Sequence, residues 1–174
     1  MAHHWEEGVK PDIIAVGKAL SGGTMPVSAA FADDHIMLLI NPGDHGSTYG
    51  GNPLGMAVAR VAIQTLLEEK MVENAVAMGD LLHDQLSSIK SSLIKETRGR
   101  GLFRAIETVH DARVKGDDLA SILMKKGLLT KATHDYTIRL APALIIKEHE
   151  IMEAAKIIKE GVKELEKLNN ERSK

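Results

Sequence analysis

Residues 11–23 read PDIIAVGKALSGG: an apolar run, Ile13-Ile14-Ala15-Val16, that delivers one lysine, Lys18, ahead of a Ser-Gly-Gly turn. A short apolar run closed by turn residues describes a fully buried strand of the kind found in parallel sheets. Lys18 then stands at the end of a strand, at the mouth of a protein interior. A lysine half out of water yields its neutral amine more readily than one in solvent, and that amine can form an imine with a carbonyl compound. The other reading is a lysine that simply follows a strand and points into solvent, which is the commoner outcome for this stretch alone. The choice between them rests on the rest of the chain.

Immediately downstream, Val27, Ala29 and Phe31 alternate over residues 26–32, predicting a second strand. Asp33-Asp34 closes it and can cap a short helix over 35–40. Residues 41–55, NPGDHGSTYGGNPLG, hold five glycines and two prolines, so they form a long shaped loop and no regular element. Ser47, Thr48 and Tyr49 sit among glycines that let the backbone approach a ligand. Hydroxyls and backbone amides at the start of a helix make a phosphate cradle, and a purely structural turn is the competing reading.

Asn52 and Pro53 announce a helix running to about residue 70, and apolar spacings of three and four then predict a second amphipathic helix over 71–89. Its methionines belong to a core. Beyond it the period changes to two. Residues 93–97 and 102–109 read as strands around a bend or bulge at Arg98-Gly99-Arg100-Gly101, which is no dinucleotide fingerprint because no third glycine or helix start follows. A helix over 117–126 ends at Gly127. Two short strands follow, 128–132 and 136–140, the second carrying Arg139. A last helix covers about 147–168, and the tail NNERSK should fray. The run of elements after residue 70 predicts a compact α+β lobe, with a boundary inside or just after the first long helix.

Composition narrows the function classes. The chain has 174 residues, a net charge of −2 and no cysteine. No basic surplus points to nucleic acid or an anionic membrane, and no apolar run approaches a membrane span. Without cysteine there is no disulfide and no thiolate-bound metal, which suits a reducing compartment. His3-His4 lacks a third ligand at helical spacing, so no metal site is expected. Residues 1–10 lack the apolar core of a signal peptide. A Walker-type phosphate loop is ruled out, since Ala19 follows Lys18 where serine or threonine is required.

Together, GKALSGG at 17–23, PVSA at 26–29, GSTYGGNPLG at 46–55, RGRGL at 98–102 and TIRLAPALIIKEHEI at 137–151 resemble the class III pyridoxal-phosphate-dependent aminotransferases. The likeness runs from about residue 9 onward. Members acting on acetylornithine or GABA share the GST-x-GGNP pattern, whereas KALSGG and the Arg139 segment lean toward members acting on ornithine. The resemblance implies an α/β chain, the C-terminal portion of a fold type I transferase. Residues 1–70 would be the end of the large parallel-sheet domain with its connecting helix, and 71–174 the small α+β domain. It implies pyridoxal 5′-phosphate as cofactor, bound as a Schiff base to Lys18, which would also move the substrate proton. It implies a homodimer in which Ser47 and Thr48 reach the phosphate of the partner's cofactor, and no nucleic-acid or membrane partner. Arg139 would take a substrate carboxylate, a planar bidentate task, the alternative being a salt bridge at a sheet edge. The reaction implied moves the side-chain amino group of ornithine to 2-oxoglutarate, giving glutamate 5-semialdehyde and glutamate, in the cytoplasm or the mitochondrial matrix.

Family chains are much longer, and the resemblance places several functional groups outside these residues. They are the aspartate that pairs with the pyridine nitrogen, the aromatic residue stacked on the ring and a second glycine-rich phosphate turn. The arginine and tyrosine that hold ornithine, and the glutamate that masks the arginine matching Arg139, also lie elsewhere. The chain by itself is therefore expected to be inactive. The competing expectations are another class III specificity, or a non-catalytic lobe that associates with a full-length subunit.

Overall fold

The run 13–16 does form a strand, β1 (Ile13–Val16), but its partner is β2 (Ala29–Ala32), antiparallel, with Ile13 opposite Ala32 and Val16 opposite Ala29. The structure, a computed structural model, describes residues 2–174, and among these β1 and β2 form a two-stranded ribbon. Ile13 is 59% exposed and Phe31 52% exposed. The expectation of a fully buried strand in a parallel sheet is corrected accordingly. Two strands have two open edges, and they offer too little surface to bury either face. The second strand is also shorter than residues 26–32.

The chain divides into two compact units, Met1–Glu69 and Lys70–Lys174. In the first, β1 runs into a 3₁₀ turn over Lys18–Ser21 that ends at Gly22 in the left-handed region. The expected helix at 35–40 is one turn, α1 (Asp34–Met37). Asp33 occupies its N-cap position without a side-chain cap bond. Leu38 and Leu39 then stand 75% and 74% exposed. α2 (Pro53–Glu68) starts as its sequence requires: Asn52 Oδ1 accepts from the Gly55 amide at 2.7 Å, and proline fills the first turn. Gly55 is buried where a Cβ would lie 2.9 Å from Val27 Cγ1, so a larger residue would have to displace that side chain for α2 to keep its approach to the segment after the Lys18 turn.

In the second unit, α3 (Met71–Ser87) leads into a hairpin of β3 (Ile94–Arg100) and β4 (Phe103–Thr108), then α4 (Gly116–Lys125), β5 (Lys131–Thr133), β6 (Thr137–Leu140) and α5 (Glu148–Glu171). The strands form one antiparallel sheet in the order β3-β4-β6-β5. Ile106, Ile138 and Leu140 face a core with Leu82 and Leu86 of α3, Leu119 and Leu123 of α4, and Ile151, Ile158, Val162 and Leu165 of α5. Each fully buried aliphatic side chain contributes about 1.5–3 kcal/mol. The alternate residues, among them Phe103, Ala105, Glu107, Thr137 and Arg139, line the opposite face of the sheet.

Two details depart from the sequence reading. The strand expected at 128–132 is confined to β5, because Leu128 caps α4 by donating its amide to Leu123 O. The tail expected to fray stays helical to Glu171. There Arg172 makes a two-pronged contact with Asp118, at 2.9 and 2.8 Å, and Asn169 Oδ1 accepts from the Arg113 amide at 2.8 Å. The Arg172 bond holds the Asp118 carboxyl below its ordinary range.

The bend expected at Arg98–Gly101 is corrected: Arg98, Gly99 and Arg100 pair with β4 inside β3, and the hairpin turn is Gly101-Leu102, whose Gly101 sits on α3. A Cβ on Gly79 would lie 2.2 Å from the Gly101 carbonyl carbon, backbone that cannot swing aside. Gly79→Ala is therefore expected to destabilise the chain by about 1–3 kcal/mol through overpacking. Urea unfolding monitored by circular dichroism checks this, and an unchanged midpoint would contradict it.

Candidate functional site

Lys18 has φ +50°, the left-handed region that a side chain with a Cβ rarely adopts. The turn that follows enforces it. Ser21 is buried, donates its hydroxyl to Met25 O and accepts from the Met25 amide at 3.1 Å, while Thr24 Oγ1 donates to Ser21 O at 2.9 Å. Backbone strain of this kind collects at functional positions.

Lys18 is exposed and lines an open cleft of about 380 Å³ together with Pro26, Val27, Ser28, Ser47, Tyr49, Gly50, Gly51, Asn52 and Met56. The volume suits a small cofactor or ligand. Ser47 Oγ accepts from the Gly50 amide at 3.0 Å, and Asn52 Nδ2 donates to Tyr49 O at 2.8 Å, so the glycine loop is braced from within. The structure thus brings Lys18 and Ser47 to one cleft. Thr48, next in sequence, is exposed and lies off the lining. Ser28 was not legible as a wall residue, because only the antiparallel return of β2 carries it back toward Lys18.

Arg139 lies in the second unit, in the middle of β6, exposed, with its guanidinium 5.9 Å from the Phe103 ring centre. Among the described residues its side chain makes no hydrogen bond or ion pair, which disfavours the sheet-edge salt bridge. It lines a cleft of about 250 Å³ with Arg98, Phe103, Ala105, Thr133, His134 and Thr137. The β5–β6 turn that presents it passes through His134 at φ +49°, where the Thr137 amide donates to His134 O at 2.9 Å.

Sequence reading passed over Glu107. Its carboxylate takes Lys95 Nζ at 2.6 Å, Arg98 Nη1 and His110 Nε2 at 3.0 Å. The Lys95 bond first, then the Arg98 bond, hold its carboxyl down at about 2, with His110 adding to them. The available signal was an acid at a period-two position in the apolar stretch 102–109.

This fold and these two clefts belong to a recognisable class. The family model "Aminotransferase class-III" matches residues 1–162, and the chain is a member of that pyridoxal-phosphate-dependent aminotransferase family. Ornithine aminotransferase of Emericella nidulans is 45% identical over 171 residues, covering 97% of this chain and 37% of the relative. The mitochondrial ornithine aminotransferase of Rattus norvegicus is 48% identical over 156 residues, covering 90% and 36%. Among solved structures, the ornithine aminotransferase of Toxoplasma gondii superposes with a TM-score of 0.90 at 36% identity, over 96% of this chain and 40% of that one. Acetylornithine aminotransferase of Elizabethkingia anophelis gives 0.85 at 44% identity, over 94% and 43%. The chain thus spans under two fifths of the length of these curated relatives. No helix among the described residues is long and apolar enough to cross a membrane.

The Lys18 cleft fits one part of the family's cofactor and not another. An amine, the Ser47 hydroxyl and a glycine-rich loop suit an aldehyde and a phosphate. Among the described residues no acidic side chain lines the cleft, so none of them pairs there with a protonated ring nitrogen.

The Glu107 cluster sets a pH dependence. Its carboxyl titrates at about 2 when folded, against an ordinary value of 4.5, so its contribution is complete above pH 5 and is lost as pH falls toward 2. The stability lead of the native chain over Glu107→Gln is therefore expected to shrink across that window. A lead that stays constant in urea titrations from pH 6 to pH 2 would contradict it.

Proposed function

We propose that this chain carries the cofactor lysine and a carboxylate-binding arginine of an ornithine aminotransferase. That enzyme moves the side-chain amino group of ornithine to 2-oxoglutarate, yielding glutamate 5-semialdehyde and glutamate. The observation that carries the reading is Lys18 held at φ +50° on the wall of a cleft it shares with the 47–52 glycine loop. The names of the relatives from Emericella nidulans and Rattus norvegicus support the choice of ornithine. In this reading residues 1–70 end the large domain and 71–174 form the small one.

Pyridoxal phosphate, when bound, supplies an electron sink for the carbon that loses its proton. The chain's own residues do the rest of what is proposed. Lys18 Nζ is the attachment point, and once released it carries the proton between substrate positions. Ser47 and Thr48 donate hydroxyl hydrogens to a phosphate, across the interface of a homodimer. Thr48, which lies off the lining of its own chain's Lys18 cleft, is free to serve a partner's phosphate, and the exposed Leu38 and Leu39 supply apolar surface for such a partner. Arg139 offers its unpaired guanidinium to a carboxylate. Turnover belongs to the complete enzyme, because the Lys18 cleft in this chain lacks the acid that would keep the ring nitrogen protonated.

Incubation of the chain with pyridoxal phosphate, borohydride reduction and peptide mass mapping is expected to place the adduct on Lys18, with Lys18→Ala losing it. Labelling spread over surface lysines would sink the assignment. Substrate choice is read by grafting this chain onto the corresponding part of the Rattus norvegicus relative. Ornithine-dependent formation of the semialdehyde is expected, and activity confined to acetylornithine would redirect the reading to that specificity.

A further inference from the structure

Arg139 is carried on very little strand. β6 has four residues, and β5, its neighbour at the sheet edge, has three, paired as Lys131 with Arg139, Ala132 with Ile138 and Thr133 with Thr137. β4 pairs with the same four residues of β6 from the other side. A slip of one residue in a strand this short would turn Arg139 to the core face, so the side on which it emerges depends on what fixes the register. The turn between β5 and β6 bears on this directly. His134 takes φ +49° and accepts from the Thr137 amide at 2.9 Å, which leaves Asp135 and Tyr136 at the tip.

That tip is gripped by several elements. The half-buried Tyr136 ring stacks on His110, with centres 4.4 Å apart and planes at 25°, and Lys115 Nζ lies 5.5 Å from the ring centre. The Tyr136 carbonyl accepts twice from Thr108, from its amide at 2.8 Å and its hydroxyl at 3.1 Å. Asp135 O accepts from the Gly116 amide at 2.8 Å, and its carboxylate takes Lys115 Nζ at 3.2 Å. A Cβ on Gly116 would lie 3.0 Å from the Thr137 amide nitrogen, so α4 starts hard against the strand. His110 is held in its turn: its Nε2 lies 3.0 Å from Glu107 Oε1, the oxygen that Lys95 Nζ also bonds at 2.6 Å. A line of contacts therefore runs from the buried Glu107 through His110 to the Tyr136 ring, and from there along the backbone into β6.

We propose that Tyr136 is a positioning residue for Arg139: its ring, stacked on His110 beside Lys115, fixes the register of β6 so that the Arg139 guanidinium emerges on the open face. The backbone bonds of the turn are open to any residue at 136, whereas the stack and the cation contact need an aromatic ring. The contact is made by the ring face, so the hydroxyl is dispensable. Tyr136 touches neither substrate nor cofactor and acts only through Arg139. The inference rests on the reading of Arg139 as a carboxylate anchor and adds what holds that anchor in place.

The test begins with NMR of the full isotope-labelled chain, where cross-strand NOEs between Lys131 and Arg139 report the register. Tyr136→Leu is expected to weaken those NOEs and to speed amide exchange over residues 137–140 by about tenfold, while α5 amides keep their native rates. Tyr136→Phe, which keeps the ring, should behave as the native chain. Unchanged exchange in Tyr136→Leu, an equal loss in Tyr136→Phe, or faster exchange throughout the second unit overturns the proposal. The second arm uses the graft onto the Rattus norvegicus relative. There Tyr136→Leu should raise KM about tenfold for the same substrate whose KM Arg139→Gln raises, the equivalent of one charge-assisted contact, and Tyr136→Phe should restore it. A fall in kcat with KM unchanged also overturns the proposal. If Arg139→Gln moves no KM, the reading of Arg139 fails by itself, because the register measured by NMR does not depend on it.

Discussion

Arg104 is the tie on which the second unit's geometry depends. It is buried, at 8% exposure, and its guanidinium donates to Gly101 O at 2.8 Å, Gly99 O at 2.7 Å and Gly79 O at 3.0 Å. One cation therefore holds both sides of the β3–β4 turn and the backbone of α3. Removing it would take this donor from the buried Gly79 carbonyl, the costly side of the hydrogen-bond balance. The contact is possible only because Gly79 and Gly101 let the backbones meet, and it fixes where β3 lies. The position of β3 decides in turn that Arg98, Ala105 and Arg139 share one row. The arginines thus alternate by parity: Arg104 points inward and locks the hairpin, while Arg98 and Arg139 point to the open face.

The first unit is organised by a backbone constraint. Lys18 sits at φ +50° because the buried Ser21 closes a tight turn behind it, and Gly55 lets α2 pack close to the return strand. The lysine is therefore aimed by turn chemistry and a helix start, with no ion pair directing it. Its exposure follows from the two-stranded ribbon, which cannot enclose what it carries. This also explains why the cleft is open, with walls of loop and strand and no acid.

Much of this was legible in residues. Asn52-Pro53 announced α2 and its cap, the apolar spacings located α3 and α5, and the change to period two marked the sheet of the second unit. Gly-Ser-Thr among glycines located the loop opposite Lys18. Other features were not legible, because they depend on partners distant in sequence. Glu107 looks like one more charge in a strand until Lys95, Arg98 and His110 converge on it. The tail NNERSK looks frayed until Asp118 and the Arg113 amide, more than 50 positions earlier, hold it.

The sequence by itself determined where the long helices begin and where the period changes to two, and its motifs singled out Lys18, Ser47, Thr48 and Arg139 as candidates. Those signals are local: caps, periods and glycine spacing act within a few residues. Only the tertiary structure decided that β1 pairs antiparallel and stays half exposed, that Ser47 and not Thr48 lines the cleft of Lys18, and that Arg98 stands in line with Arg139. Each of those depends on strand register or on close backbone approach, quantities set by packing between segments far apart in the chain.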